Sequence, residues 1–204
     1  HLSDPKDTDS DDDTLLDGAE ALTHHSNPTK VESDGDGMPD RWEVDHGLDP
    51  ASATGANGAA GDPDGDTLGN FDEYREGSDP QSSDTDGDTL SDGAEFHLHF
   101  SSPLMVDSDG DGLPDAVEVN THHTHPALAD SDFDGLSDPF ELQTSLTDAM
   151  NADTDGDHMT DGWEHSNGLN ALSAADASTD LDGDSYSNLL EFYYTAWGYL
   201  PNST

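Results

Sequence analysis

Hydrophobic residues in this chain recur with a period far too long for one face of a helix or a strand. A first column reads Leu15, Met38, Leu68, Leu90, Leu113, Leu136, Met159 and Tyr186. A second follows six residues later at Ala21, Val44, Tyr74, Phe96, Val119, Leu142 and Phe192, with His165 its polar exception. Self-similarity at such a period signals a tandem array, so eight copies of one unit are expected. The two columns are expected to form a small contact between neighbouring units. The aromatics Trp42, Phe140 and Trp163, two places before the second column, add to it.

The polar positions repeat just as strictly. A twelve-residue frame places an acid at position 1, Asp at 3 and 5, Asp or Asn at 9 and Glu at 12. Successive frames start 23, 30, 22, 23, 23, 23 and 27 residues apart. The 23-residue period leaves 11 residues after each frame. That is room for one short helix and a turn, not for the two full helices that flank an EF-hand loop. The expected fold is a tandem repeat array of eight EF-hand-like loops with short helices, elongated, organised by calcium and poor in regular secondary structure.

Such spacing suits calcium, a hard cation that takes six to eight oxygens in a flexible shell. Side chains at 1, 3 and 5 wrap the ion, the carbonyl of 7 and a two-oxygen Glu at 12 close the shell, and 9 commonly acts through water. The candidate ligands of the first four loops are as follows. They are Asp9, Asp11, Asp13, Leu15, Asp17 and Glu20; then Glu32, Asp34, Asp36, Met38, Asp40 and Glu43; then Asp62, Asp64, Asp66, Leu68, Asn70 and Glu73; then Asp84, Asp86, Asp88, Leu90, Asp92 and Glu95. The last four loops supply Asp107, Asp109, Asp111, Leu113, Asp115 and Glu118; then Asp130, Asp132, Asp134, Leu136, Asp138 and Glu141; then Asp153, Asp155, Asp157, Met159, Asp161 and Glu164; then Asp180, Asp182, Asp184, Tyr186, Asn188 and Glu191. Magnesium wants a tighter octahedron and keeps its waters. Zinc wants His or Cys, which no frame position uses consistently.

Composition would otherwise argue for disorder. The chain has 48 acidic residues against 4 basic ones, a formal charge of -44, and 30% hydrophobic residues. Low hydrophobicity with high net charge leaves too little burial to offset the ordering entropy. The acids are placed, however. Eight loops of five side-chain positions make 40 sites, and 38 of them carry carboxylates, the exceptions being Asn70 and Asn188. Four dispersed basic residues make no nucleic-acid surface. No apolar run reaches the roughly 18 residues of a membrane helix. With no cysteine, disulfide stapling is ruled out.

The segments Asp107–Glu118 (DSDGDGLPDAVE) and Asp153–Glu164 (DTDGDHMTDGWE) resemble thrombospondin type 3 repeats in their cysteine-free bacterial form. Ser78-Asp79-Pro80 and Asn27-Pro28 resemble that family's Thr-Asp-Pro turn. Gly47-Leu48-Asp49-Pro50 and Gly168-Leu169-Asn170 resemble its longer link. The resemblance implies a calcium-organised spacer or adhesion segment in which neighbouring repeats share ions through bridging carboxylates. Eight or more calcium ions are then expected, with Asp92, Asp115 and Asp138 at position 9 among the bridges. Sharing is expected to lapse at Asn70 and Asn188.

Residues 1–8, with Leu2-Ser3-Asp4-Pro5, look like the tail of an upstream repeat, 9–192 hold the eight repeats, and 193–204 form a C-terminal extension. The links Ala51–Gly61 and Asn170–Thr179 interrupt the beat. Position 6 is Gly in only three loops, and four of the others have Gly at 4. The first loop has Asp12 and Thr14 there, which marks its turn as the least regular. His24, His99 and His122 share one position of their units and read as exposed link residues rather than a transition-metal patch. Asn202-Ser203-Thr204 matches a glycosylation sequon.

Function follows from the array. The leading expectation is a calcium-stabilised extracellular spacer or adhesion segment of a larger secreted or surface protein. Its partners would be calcium, other domains of the same polypeptide or a surface partner. The alternative is a dockerin-like module, whose paired loops carry Asn at position 9; two loops suffice there, against eight here. An enzyme is not expected, because no Ser/His/Asp or Cys/His arrangement is present and the carboxylates are committed to metal shells with no open position.

Overall fold

The computed structural model describes residues 6–196. The chain divides into two compact units, His1–Val106 and Asp107–Thr204, each built from the same repeating piece. The Leu2–Pro5 tail, the end of the 193–204 extension and the Asn202 sequon lie outside the described residues.

Each piece is an acidic turn followed by a short helix, and no strand occurs among the described residues. Backbone positions 4 and 6 of all eight turns adopt positive φ, whether or not glycine is present. Gly110 and Gly112 take it at 79° and 102°, while Asp12 and Thr14 of the glycine-free first turn take it at 63° and 78°. For a β-branched residue such as Thr14 this is a strained conformation that its surroundings must hold.

Position 8 is extended, and a helix opens at position 9 in every repeat: at Asp17, Asp40, Asn70, Asp92, Asp115, Asp138, Asp161 and Asn188. Ser91 and Thr160 cap theirs, each side-chain oxygen accepting the N–H of the third residue on. Starting there sets positions 9 and 12 three residues apart on one helix face. That face is turned inward.

The 22- and 23-residue spacings have a simple cause. After the third loop an α-helix, Asn70–Glu76, ends on left-handed Gly77, four residues beyond Glu73. In the first, fourth, fifth and sixth repeats a three-residue α turn runs into a five-residue π turn: Glu20–His24, Glu95–His99, Glu118–His122 and Glu141–Ser145. The wider turn inserts one residue. His25, Phe100, His123 and Leu146 then make the left-handed exit that Gly77 makes elsewhere. His24, His99 and His122 are the last residues of their own π turns.

The core is small and repeats with the turns. The first hydrophobic column is buried from Leu15 to Met159, whereas Tyr186 is exposed. The second column is less enclosed: Val44, Tyr74, Phe96, Val119, Leu142 and Phe192 are half-buried, and Ala21 and His165 are exposed. Three of its members contact position 11 of the previous repeat, as a contact between neighbouring units requires. Trp42 meets Tyr74 at 5.2 Å between ring centroids, Phe140 meets His165 at 4.9 Å and Trp163 meets Phe192 at 5.4 Å. Other core positions include acids (position 12 of seven repeats, position 9 of five) and the link residues Pro28, Pro50, Pro80, Pro103, Pro126, Ala149 and Ala171.

Successive repeats are keyed by position 10. The Gly93 N–H donates to Asp66 Oδ2 and the Gly162 N–H to Asp134 Oδ2, both at 2.6 Å. A Cβ on either glycine would stand 2.3 Å from the carbonyl oxygen of that same aspartate. Gly18 occupies the same position in the first repeat with nothing within 4 Å. Overpacking a close contact costs about 1–3 kcal/mol, while replacing an unconstrained helical glycine by alanine gains about 0.5–1 kcal/mol. Gly162→Ala is therefore expected to lower the midpoint of urea unfolding in calcium, and Gly18→Ala to leave it unchanged or raise it. Equal shifts for the two would show that the repeats are not packed through this position.

Candidate metal centres

Backbone amides organise the acids before any cation is considered. The position-1 carboxylate spans the strained turn. Asp107 accepts the N–H of Gly110 at 2.8 Å and of Gly112 at 3.1 Å, and Asp153 accepts those of Gly156 and His158, both at 2.8 Å. The same pairing recurs at Asp62, Asp84, Asp130 and Asp180. These bonds hold the positive-φ residues in place, Thr14 included, whose N–H reaches Asp9 at 3.0 Å. One oxygen of position 3 accepts the N–H of 5, and one oxygen of position 5 accepts the N–H of 7, as at Asp109 and Asp111.

Most of the second oxygens of these aspartates are buried with no hydrogen-bond partner, whereas those of Asp66 and Asp134 take the Gly93 and Gly162 N–H. Asp34 and Asp36 turn Oδ2 toward Glu43, whose two oxygens are both unpartnered, and Asp155 and Asp157 do the same toward Glu164. Asp109, Asp111 and Glu118 each contribute one such oxygen, as do Asp11, Asp13 and Glu20. Glu20, Glu43, Glu73, Glu95, Glu118, Glu141 and Glu164 are all 0% exposed. A buried, unpartnered carboxylate is among the costliest groups a protein can hold. Here several oxygens converge, an arrangement whose chemistry suits a hard divalent cation. The eighth loop is more open: Asp180, Asp182 and Asp184 are exposed and Glu191 is half-exposed. No later repeat covers it among the described residues.

Position 9 plays a part that the frame alone does not convey. In six loops its carboxylate accepts both the N–H and the hydroxyl of position 2. Asp115 takes those of Ser108 at 2.8 and 2.6 Å, and Asp161 takes those of Thr154 at 2.9 and 2.6 Å. Asp17, Asp40, Asp92 and Asp138 pair likewise with Ser10, Ser33, Thr85 and Ser131. The two asparagine loops carry Pro63 and Leu181 at position 2 instead. Asn70 donates to the carbonyls of Ala56 and Gly58, and Asn188 to the Asp176 carbonyl and Thr179 Oγ1. Asparagine thus ties down the two longer links, and a residue without a hydroxyl accompanies it at position 2.

The same carboxylate approaches the preceding loop. Ligand oxygens of Asp13, Glu20 and Asp40 lie within 4.8 Å of one another, joining positions 5 and 12 of the first repeat to position 9 of the second. The charge of Asp92 acts on Glu73, that of Asp138 on Asp111 and that of Asp161 on Asp132. A hydroxyl column also escaped the frame. Ser26, Ser101, Thr124 and Thr147, each following a left-handed exit, donate to the position-12 glutamate at 3.0–3.4 Å. Their regular spacing was the available signal.

Burial first, and the charge of neighbouring aspartates after it, pushes Glu43, Glu73, Glu118, Glu141 and Glu164 up to about 8 and Glu20 to about 7. Asp34, Asp64 and Asp132 rise to about 6, again chiefly through burial. Without a cation these clusters hold protons more tightly than free carboxylates do.

Comparison with known proteins identifies two of the repeats. Residues 33–53 and 107–128 match the bacterial TSP3 repeat, so the chain carries thrombospondin type 3 repeats of bacterial type, without cysteine. No curated protein matches. Two solved structures are similar over short stretches. The B domain of a biofilm associated protein is 51% identical over 22% of this chain and 11% of its own, with a TM-score of 0.21. The BSP domain of a biofilm associated protein is 42% identical over 21% of this chain and 8% of its own, also with a TM-score of 0.21. The matched part is thus about a tenth of the length of those chains. No helix among the described residues is long and apolar enough to cross a membrane.

These raised values set the direction of the pH response. A glutamate whose folded pKa of about 8 exceeds its ordinary 4.5 favours the folded chain while protonated. That contribution is full below about pH 4.5 and is lost as pH rises through 8. In chelator the chain is expected to gain helical circular dichroism and contract on acidification from pH 8 to pH 5. In calcium the response is reversed, because protons compete with the cation. A chelated chain whose spectrum is flat over this range would show that the carboxylates are not gathered without metal.

Proposed function

We propose that the chain is a calcium-binding array of eight EF-hand-like loops, serving as a calcium-stabilised spacer or adhesion segment of a larger secreted or cell-surface protein. The observation that carries this reading is the position-12 glutamate. It is fully buried in seven loops, and in Glu43 and Glu164 both oxygens lack a protein partner beside unpartnered aspartate oxygens. A cation bound among them compensates such a group while it stays ionised. An all-oxygen set favours calcium over zinc, and the number and flexibility of its members favour calcium over magnesium. The bacterial TSP3 repeats found at two places are a calcium-binding family, which supports the same choice.

Location follows from affinity. Extracellular calcium modules bind at about 10⁻⁴–10⁻³ M, so they load outside a cell and stand largely empty in the cytosol. A mechanical rather than catalytic role accords with carboxylates already engaged by amides, hydroxyls and one another. Within this reading position 9 is the shared member: Asp13, Glu20 and Asp40 offer oxygens for a further ion between repeats.

Two measurements test the proposal. Small-angle scattering in excess chelator at pH 8 is expected to report an expanded chain and calcium to restore compaction. An unchanged profile would overturn the reading. Native mass spectrometry of the calcium-loaded chain is expected to show more than eight ions. A count of eight or fewer would remove the shared sites while leaving the loops.

A further inference from the structure

The link between the seventh and eighth loops carries a carboxylate that lies outside the twelve-residue frame. Asp176 opens the 3₁₀ turn Asp176–Ser178. Its Oδ2 accepts the Asn170 N–H at 2.9 Å, and its backbone carbonyl accepts from Asn188 Nδ2 at 2.9 Å and from the Thr179 N–H at 2.8 Å. Side chain and backbone are therefore both anchored. The other oxygen, Oδ1, is buried and has no hydrogen-bond partner.

The acids on which Asp176 acts belong to the seventh loop: its charge acts on Asp155 and on Glu164, at positions 3 and 12. Glu164 is fully buried with both oxygens unpartnered, and Asp155 and Asp157 each present an unpartnered Oδ2. Asp176 thus stands toward the seventh loop as Asp40 stands toward the first. The eighth loop's own position 9 is unable to do so, because it is Asn188 and its amide is committed to the link.

We propose that Asp176 is a link-borne ligand for the divalent cation of the seventh loop, replacing the position-9 aspartate that the next repeat lacks. The proposal rests on the reading of the loops as cation sites. The other long link offers no counterpart. The residue twelve places before Asn70 is Gly58, where Asp176 stands twelve places before Asn188. A Cβ at Gly58 would lie 2.2 Å from the Ala53 carbonyl. The second and seventh loops, both followed by long links, therefore differ in the acids around their ions.

Terbium luminescence tests this, since Trp163 adjoins Glu164 in sequence and the chain has three tryptophans. In a chain carrying Trp42→Phe and Trp197→Phe, terbium emission sensitised at a wavelength that tryptophan absorbs and tyrosine does not reports the seventh loop. Asp176→Asn keeps an acceptor for the Asn170 N–H and is expected to weaken terbium there by about tenfold or more. Asp148→Asn removes the same charge from a carboxylate engaged only with the Met150 N–H of its own turn, and is expected to leave the titration unchanged. Equal titrations for the two variants would overturn the assignment of Asp176. A background chain that takes up no terbium near Trp163 would overturn the reading of the loop as well.

Discussion

Everything in this chain depends on the mutual repulsion of carboxylates drawn into small enclosed spaces. Each loop gathers four or five acids, and in seven of the eight the glutamate at its centre is sealed from water. Such a structure is stable only when each charge has an answer. Amide N–H groups answer positions 1, 3 and 5 with one or two bonds each, and position-2 hydroxyls answer position 9. Four basic residues offer almost nothing. Most of the remaining oxygens of positions 3, 5 and 12 are buried without a partner in the protein, and compensation there has to come from outside the polypeptide.

This constraint explains features that would be costly in an ordinary domain. Left-handed Thr and Asp residues are tolerated at positions 4 and 6 because that backbone aims successive N–H groups at the position-1 carboxylate. Left-handed backbone at a non-glycine residue costs roughly 1–2 kcal/mol, of the same order as the charge-assisted hydrogen bonds that result. The thin hydrophobic core is likewise intelligible. Met38, Leu68 and Met159 are fully buried, yet they lie among buried acids rather than in a continuous apolar layer. Such side chains shield the oxygen clusters from water, which strengthens the field a cation would feel there.

How much of this was legible in the sequence varied with the kind of interaction. Acids at fixed spacing are visible in a string, and so the turns, the short helices and the inward glutamates followed from the frame. Two things did not. The second hydrophobic column was expected to join the first in the contact between neighbouring units; Tyr74, His165 and Phe192 do meet the previous repeat edge to face, but the column as a whole is half-buried or exposed rather than enclosed. Position 9 was read as water-mediated in its own loop or, at Asp92, Asp115 and Asp138, as a bridge between neighbouring sites; that reading did not include the clamp its carboxylate makes on position 2 while facing the loop before. The pairing of Asp at 9 with Ser or Thr at 2, against Asn with Pro63 or Leu181, was present in the string. Its meaning required knowing which groups meet.

That last point changes what counts as the unit of the array. The covalent repeat runs from one frame to the next, and sequence periodicity registers only that. The physical unit straddles two frames: positions 5 and 12 of one repeat close against positions 9 and 10 of the following one, as Asp13 and Glu20 do with Asp40, and Asp134 does with Gly162. A loop is therefore enclosed by residues it does not contain. The eighth loop obeys every position of the frame at least as well as the first, yet its aspartates stay exposed because no repeat follows it among the described residues. Where a link is longer, the following position 9 has drawn back to asparagine, and only at Asp176 does the link itself carry an acid back to the loop. Conformity to the frame tells which residues can gather around an ion; the next repeat, or its link, decides how well the gathering is closed.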